Sequence, residues 1–213
     1  MIVINYTICL IGQQLHKTVV VGGGKVAARK VQRLLASGAK VKVISPALAP
    51  ELQVLADSGE ITFLARSYQD GDLGGAFLVI AATDDTAVNQ CVWREAQERG
   101  CLINVVDDPE HSNFTLPAIV QRGEMSIAIS TGGGSPALAR RLRERLEVLI
   151  GSEYGVLTEV LAELRPELIA SFPTGEARLQ AALCLIDSDI LDIIQTHGKD
   201  VALTYGRALL HQK

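Results

Sequence analysis

Five short runs rich in β-branched residues alternate with helix-length stretches that close at glycine, and a glycine-rich turn follows the first run. Together these specify an α/β chain built on a doubly wound parallel sheet. The strand-like runs fall at residues 18–21, 40–45, 61–64, 77–82 and 102–106. Most are continuous apolar runs rather than alternating ones, as strands covered on both faces require. Helical patterns occupy residues 25–37, 49–58 and 86–99. Gly38, Gly59 and Gly100 stand at their ends, where a glycine readily closes a helix.

Beyond residue 108 the rhythm changes. Residues 114–121 and 125–130 read as two strands joined by Arg122-Gly123-Glu124, and residues 136–150 as a helix with Ser135 at its N-cap and Pro136 at its first position. So short a segment buries too little core alone, and an exposed hairpin with an amphipathic helix seeks a partner. Pairing with the same segment of a second copy, a homodimer, is expected. From residue 151 onward leucine and isoleucine recur at helical spacing in 157–164, 179–185 and 190–194, with Pro166 and Pro173-Thr174-Gly175 expected to separate the helices. The expected division is a nucleotide-binding domain at 1–112, a small α+β dimerisation segment at 113–150 and a helical domain at 151–213.

A formal charge of -4 provides no basic footprint for nucleic acid. Cys9, Cys91, Cys101 and Cys184 are widely spaced without a Cys-x-x-Cys pair, and three sit in apolar stretches where a thiol acts as a small hydrophobe. That usage points to the reducing cytoplasm and to no structural zinc. No run approaches the roughly 18 apolar residues that cross a bilayer. The first sixteen residues carry no lysine or arginine of the kind that opens a signal peptide. A soluble chain with no membrane partner is expected.

The chemistry concentrates where the strands end. Residues 19–30 read Val-Val-Val-Gly-Gly-Gly-Lys-Val-Ala-Ala-Arg-Lys. Gly22 permits a tight turn, Gly24 leaves room for a pyrophosphate against the backbone, and Ala27 lets the helix lie close to the sheet, which is the Rossmann-type cradle. The helix N-terminus then points free N–H groups at the phosphates. The second strand ends in Ser45 where many such domains carry an acid for the ribose, so its hydroxyl or the nearby backbone takes that contact. No arginine follows at once to meet a 2′-phosphate, which favours NAD over NADP. The fourth strand runs into Thr83, Asp84 and Asp85; Thr83 and Asp84 are candidate cofactor contacts, with capping of the next helix the alternative for either aspartate.

The fifth strand delivers Asn104-Val105-Val106-Asp107-Asp108-Pro109 to the same edge. Asp107 is the catalytic candidate, because a carboxylate at the mouth of the crevice accepts a proton as hydride leaves to a nicotinamide. Asp108 reads as a turn residue before Pro109, and His111 as a solvent-exposed loop histidine without a catalytic role. A second glycine-rich loop, Ser130-Thr131-Gly132-Gly133-Gly134-Ser135-Pro136, precedes a helix whose free N–H groups suit a carboxylate or phosphate. Arg140, Arg141, Arg143 and Arg145 either greet an acidic ligand or form a solvated face with Glu144 and Glu147.

Set side by side, Val-Val-Gly-Gly-Gly-Lys-Val-Ala-Ala-Arg-Lys, Ala-Ala-Thr-Asp-Asp-Thr-Ala-Val-Asn, Asn-Val-Val-Asp-Asp, Phe-Thr-Leu-Pro-Ala and Ser-Thr-Gly-Gly-Gly-Ser-Pro-Ala-Leu-Ala-Arg resemble the siroheme synthase family over residues 18–149. The resemblance implies NAD-dependent oxidation of precorrin-2 to sirohydrochlorin, serving siroheme and in some organisms cobalamin, with ferrous iron insertion in some members. It implies that Asp107 is the essential aspartate, that Lys25, Val26, Pro46 and Ala47 contact the cofactor, that Thr131 lies near the tetrapyrrole, and that the protein is an intertwined homodimer. The many carboxylates of precorrin-2 suit the loop of Thr131, Gly132, Gly133 and Ser135 and the guanidinium of Arg140. Residues 6–14 match the family's lead-in loosely, and residues 151–213 carry no matching motif, so no ligand set for iron is assigned. His197 and His211 read as structural. The competing readings are a nucleotide-sensing module without catalysis and a chelatase that keeps the cofactor loop as scaffold.

Overall fold

The computed structural model describes residues 7–10 and 17–211, so of the loosely matched lead-in only residues 7–10 are described. The chain divides into two compact units, Met1–Leu116 and Pro117–Lys213.

The first unit is the expected α/β sheet. Strands β1 (Thr18–Val21), β2 (Val41–Ser45), β3 (Ile61–Ala65), β4 (Leu78–Ala81) and β5 (Leu102–Val105) pair in the order β3-β2-β1-β4-β5, every pair parallel. Helices α1 (Lys25–Ala36), α2 (Pro50–Asp57) and α3 (Thr86–Glu98) connect strands. Alternate strand residues point to opposite faces. Val20, Val43 and Ile80 therefore join Ala27, Val31 and Leu52 in one core, while Val19, Val21, Val79 and Ile103 join Val92 and Ala96 in the other. That double coverage is why these strands read as unbroken apolar runs.

The outer edge of β5 is closed by the chain that follows it. Ile103 N–H donates to Asn113 Oδ1 at 2.7 Å, and Asn113 donates from its amide to Ile103 O at 3.0 Å and from Nδ2 to Cys101 O at 2.9 Å. Residues near 114 are thereby drawn to β5, and Pro117 has no N–H for a ladder. The strand expected from residue 114 accordingly begins later, as β6 (Ala118–Arg122).

In the second unit β6 pairs antiparallel with β7 (Met125–Ile129). Helices α4 (Pro136–Leu149), α5 (Glu153–Ser171), α6 (Gly175–Ile186), α7 (Ile190–His197) and α8 (Lys199–His211) follow. Arg122 donates to the carbonyls of Ile150 at 2.7 Å and Glu147 at 2.8 Å, satisfying the end of α4. A side chain at Gly155 of α5 would place Cβ 2.9 Å from the Arg122 carbonyl carbon, so helix and hairpin meet backbone to backbone.

Two further expectations are corrected. Pro166 does not separate helices; it lies inside α5. An interior proline costs about 3 kcal/mol. Here Leu157, Val160, Leu164 and Leu168 bury one side of α5 against Leu185, Ile190 and Ala202, and tertiary packing overrides the local penalty. Among the cysteines only Cys101 is buried, its thiol donating to Ala76 O at 3.2 Å; Cys9, Cys91 and Cys184 are exposed. An apolar neighbourhood in sequence did not settle which face the Cys91 and Cys184 thiols take on their helices. Among the described residues no helix is long and apolar enough to cross a membrane.

Candidate functional site

The strand order turns back between β1 and β4, which opens a crevice at the carboxyl edge of the sheet. Gly22 adopts φ 122°, and a Cβ there would lie 2.3 Å from Ala82 O. A Cβ at Gly23 would lie 2.0 Å from Ala47 O and 2.6 Å from Ser45 Oγ, whereas one at Gly24 would meet nothing within 4 Å. Packing thus demands the first two glycines, and open space lies over the third. Gly24 caps α1 with no side-chain hydrogen bond, and the first turn holds no acidic residue. The first-turn amides, with Lys25 and Val26 exposed beside them, are left for an anionic ligand. This cradle fits a dinucleotide pyrophosphate. Gly23 was absent from the sequence-derived site, since nothing in a run of three glycines tells which is wedged against a neighbouring loop.

That neighbouring loop follows β2. Ser45 is only 7 % exposed, and its hydroxyl donates to Ala47 O at 2.7 Å. The side chain is turned into the loop, and Pro46 and Ala47 are exposed at its surface.

After β4, Ala82 N–H donates to Val21 O at 2.8 Å. Thr83 is fixed through Asn89, which donates from Nδ2 to Thr83 O at 2.9 Å and receives the Thr83 hydroxyl at Oδ1 at 2.8 Å. Asp85 Oδ1 accepts from the amides of Ala87 at 2.9 Å and Val88 at 3.2 Å. Asp85 is therefore the cap of α3, and Asp84 is left exposed. Asn89, one turn into α3, holds Thr83 in place, a contact that nothing in its sequence neighbourhood announced.

After β5, Val106 N–H donates to Ala81 O at 2.9 Å, and the chain then turns sharply. Asp107 adopts φ 60°, the only non-glycine positive φ among the described residues. Left-handed backbone costs an L-residue roughly 1–2 kcal/mol, least for Asn and Asp. Asp108 accepts from His111 twice, from the amide at 3.2 Å and from Nδ1 at 2.6 Å. The His111 bond holds the Asp108 carboxyl below the usual carboxylate range. Asp107, Asp108 and His111 line a cleft of about 230 Å3 with Thr86, Asn89 and Gln90 of α3. Lys30 of α1 has its amine held below the usual lysine range by partial burial and then by Arg29 and Arg33, while the charge of Asp107 pulls it the other way.

The glycine loop of the second unit is closed by its own hydroxyls. Thr131 Oγ1 accepts from Ser135 N–H and donates to Ser135 O, both at 3.1 Å, and Ser130 Oγ accepts from Gly132 N–H at 3.2 Å. Gly132 and Gly133 adopt φ 61° and 84°, and a Cβ at Gly133 would meet nothing within 4 Å. Ser135 Oγ caps α4 by accepting from Leu138 N–H at 3.2 Å. Arg140 and Arg141 pair with Glu144, and Arg143 with Glu147, along the helix itself.

Fold and crevice define a dinucleotide-binding α/β unit followed by a hairpin-and-helix unit. Residues 11–118 match the family model described as NAD(P)-binding, and residues 122–149 the one described as sirohaem biosynthesis protein central. Siroheme synthase of Chromobacterium violaceum is 42% identical over 187 residues, covering 88% of this chain and 40% of the relative. That of Methylobacillus flagellatus is 48% identical over 159 residues, 75% of this chain and 34% of the relative. The chain thus spans 40% or less of the length of these relatives. The solved structure of SirC, precorrin-2 dehydrogenase, superposes with a TM-score of 0.75 and 27% identity, covering 96% of this chain and 100% of that one. The chain belongs to the NAD(P)-binding family of the first model, and over 88% of its length it is similar to a siroheme synthase. Its first unit is a nicotinamide-nucleotide-binding domain.

Proposed function

We propose that this protein oxidises precorrin-2 to sirohydrochlorin on the route to siroheme, with NAD as hydride acceptor. The observation that carries this reading is Asp107, held in left-handed backbone at the carboxyl edge that also bears the open glycine cradle. SirC, alike over nearly the whole chain, is a precorrin-2 dehydrogenase.

The nicotinamide, when bound, takes a hydride from the substrate. The chain's own residues do the rest. Gly24 and the first-turn amides of α1, with Lys25 and Val26, hold the pyrophosphate. Gly22 brings the glycine loop against the loop of Thr83 and Asp84, and Ser45 shapes the loop that offers Pro46 and Ala47. Asp107 takes the proton that accompanies hydride loss. In the second unit the loop of Thr131, Gly132, Gly133 and Ser135, with Arg140, meets substrate carboxylates. NAD is preferred over NADP because the residues after Ser45, Pro46-Ala47-Leu48-Ala49-Pro50, include no cation for a 2′-phosphate.

The protein works as a homodimer through the segment at 113–150, a reading supported by the apolar side chains that α4 and β6 expose: Leu138, Leu142, Val148, Leu149 and Ile119. Four free cysteines favour a reducing compartment, the cytoplasm. Calorimetric titration with NAD and NADP, followed by anaerobic turnover of precorrin-2, tests the proposal. Tighter NAD binding with equimolar NADH and sirohydrochlorin is expected; NAD binding without either product would leave a nucleotide-sensing module.

A further inference from the structure

We infer that His111, paired with Asp108, is a proton relay that empties Asp107 into solvent after each turnover. The inference rests on the dehydrogenase reading above and deepens it. A carboxylate that takes one proton per hydride must be deprotonated before it acts again, and the relay needs no further co-reactant, because water or buffer takes the proton. The sequence read His111 as a solvent-exposed loop histidine, but it is half-buried against Trp93. The structure places it in the same cleft of about 230 Å3 as Asp107.

Three features suit the imidazole to this task. Asp108 is held below the ordinary carboxylate range and is therefore charged, so its oxygen 2.6 Å away accepts and His111 Nδ1–H donates. The tautomer is thereby set, and Nε2 of the neutral ring is left as the proton acceptor, the arrangement by which a carboxylate orients a catalytic histidine. The Trp93 ring packs edge-on against the imidazole at 4.7 Å and 83°, which fixes its plane. The His111 side chain keeps 32% of its surface exposed, which gives the proton an exit. The charged groups facing the ring in the cleft are Asp107 and Asp108; α3 contributes the uncharged Thr86, Asn89 and Gln90.

The step balances. Hydride leaves the substrate with its electron pair to the nicotinamide, and the accompanying proton binds the Asp107 carboxylate. It then passes to His111 Nε2, directly or through one water, while Asp108 stabilises the imidazolium, and leaves to bulk buffer.

The test is anaerobic turnover of precorrin-2 with NAD by the full chain and its His111→Ala variant in dilute buffer, with and without added imidazole. Wild-type turnover is the control for the dehydrogenase reading. His111→Ala is expected to lose about 10- to 100-fold in kcat with unchanged NAD affinity. Imidazole should restore most of the loss, and Asp108→Asn should show a partial loss that imidazole also reduces. Wild-type kcat in His111→Ala, or a loss that imidazole leaves untouched, would overturn the relay while the dehydrogenase reading stands. Absence of turnover by the wild type would remove both.

Discussion

The amide of Ala49 donates to the carbonyl of Gly23 across 2.7 Å, so the loop after β2 and the glycine loop after β1 are one hydrogen-bonded structure. The proposed cofactor cradle and the packing of the two loops meet in these few residues, yet adjacent glycines serve different ends. Gly23→Ala drives Cβ to 2.0 Å from Ala47 O, which forces backbone to shift. Its unfolding free energy is expected to fall by roughly 1–3 kcal/mol in urea melts. Gly24→Ala meets open space and keeps stability near wild type, but its methyl stands in the space proposed for the pyrophosphate. NAD affinity is expected to drop about tenfold or more, a cost of about 1.4 kcal/mol in binding alone.

Strain at Asp107 separates stability from activity. Glycine at that position accepts φ 60° without a steric penalty. Asp107→Gly is expected to melt no lower than wild type while its kcat falls by about 10²–10⁴. A substantially lower melting temperature would show that the side chain is a structural tie.

Glu95 ties α3 to the segment between β3 and β4. It is 6 % exposed and accepts from the Tyr68 hydroxyl, from Gly71 N–H at 3.1 Å and from Arg99 Nε at 2.6 Å. Burial alone would raise its pKa; the hydrogen bonds from Tyr68, Arg99 and Gly71 outweigh burial and hold it below the ordinary value. The unfolded chain therefore takes up this proton first as pH falls. The stabilisation is complete above the unfolded value of about 4.3 and is lost as pH drops through the lower folded value. Acid melts should show that loss, and Glu95→Gln should flatten it while lowering neutral-pH stability by roughly 1–3 kcal/mol.

The apolar face of α4 predicts its own disruption. Val148 is 84% and Leu149 69% exposed. If the proposed homodimer forms through this face, wild type should scatter as a dimer and Val148→Asp, with its helix content intact, as a monomer; a monomeric wild type would remove the proposed dimer. A dimer mass unchanged by the substitution would place the contact elsewhere.

Much of this was legible in residues 18–106, because continuous β-branched runs and closing glycines report a doubly covered sheet directly, and β1 begins and ends where the pattern does. The position of Asp107, just past the end of β5, was legible because the strand that delivers it was. Residues whose role depends on contacts through space were not. Asn89 is tied to Thr83, Gly23 is wedged against Ala47, and His111 is paired with Asp108 and packed on Trp93. Pro166 misled for the same reason, since burial of neighbouring leucines, rather than its own propensity, decides that α5 continues.

The most direct measurement is anaerobic absorbance of wild type and Asp107→Asn side by side with freshly generated precorrin-2 and NAD. Asparagine keeps the shape and tolerates the left-handed backbone, but it takes no proton. Wild type should form NADH and sirohydrochlorin in equal amounts, and Asp107→Asn should bind NAD as tightly while turning over at least about 10²-fold more slowly. Equal rates for the two proteins would remove Asp107 from the chemistry, and NAD binding by a folded wild type that forms neither product would remove the dehydrogenase.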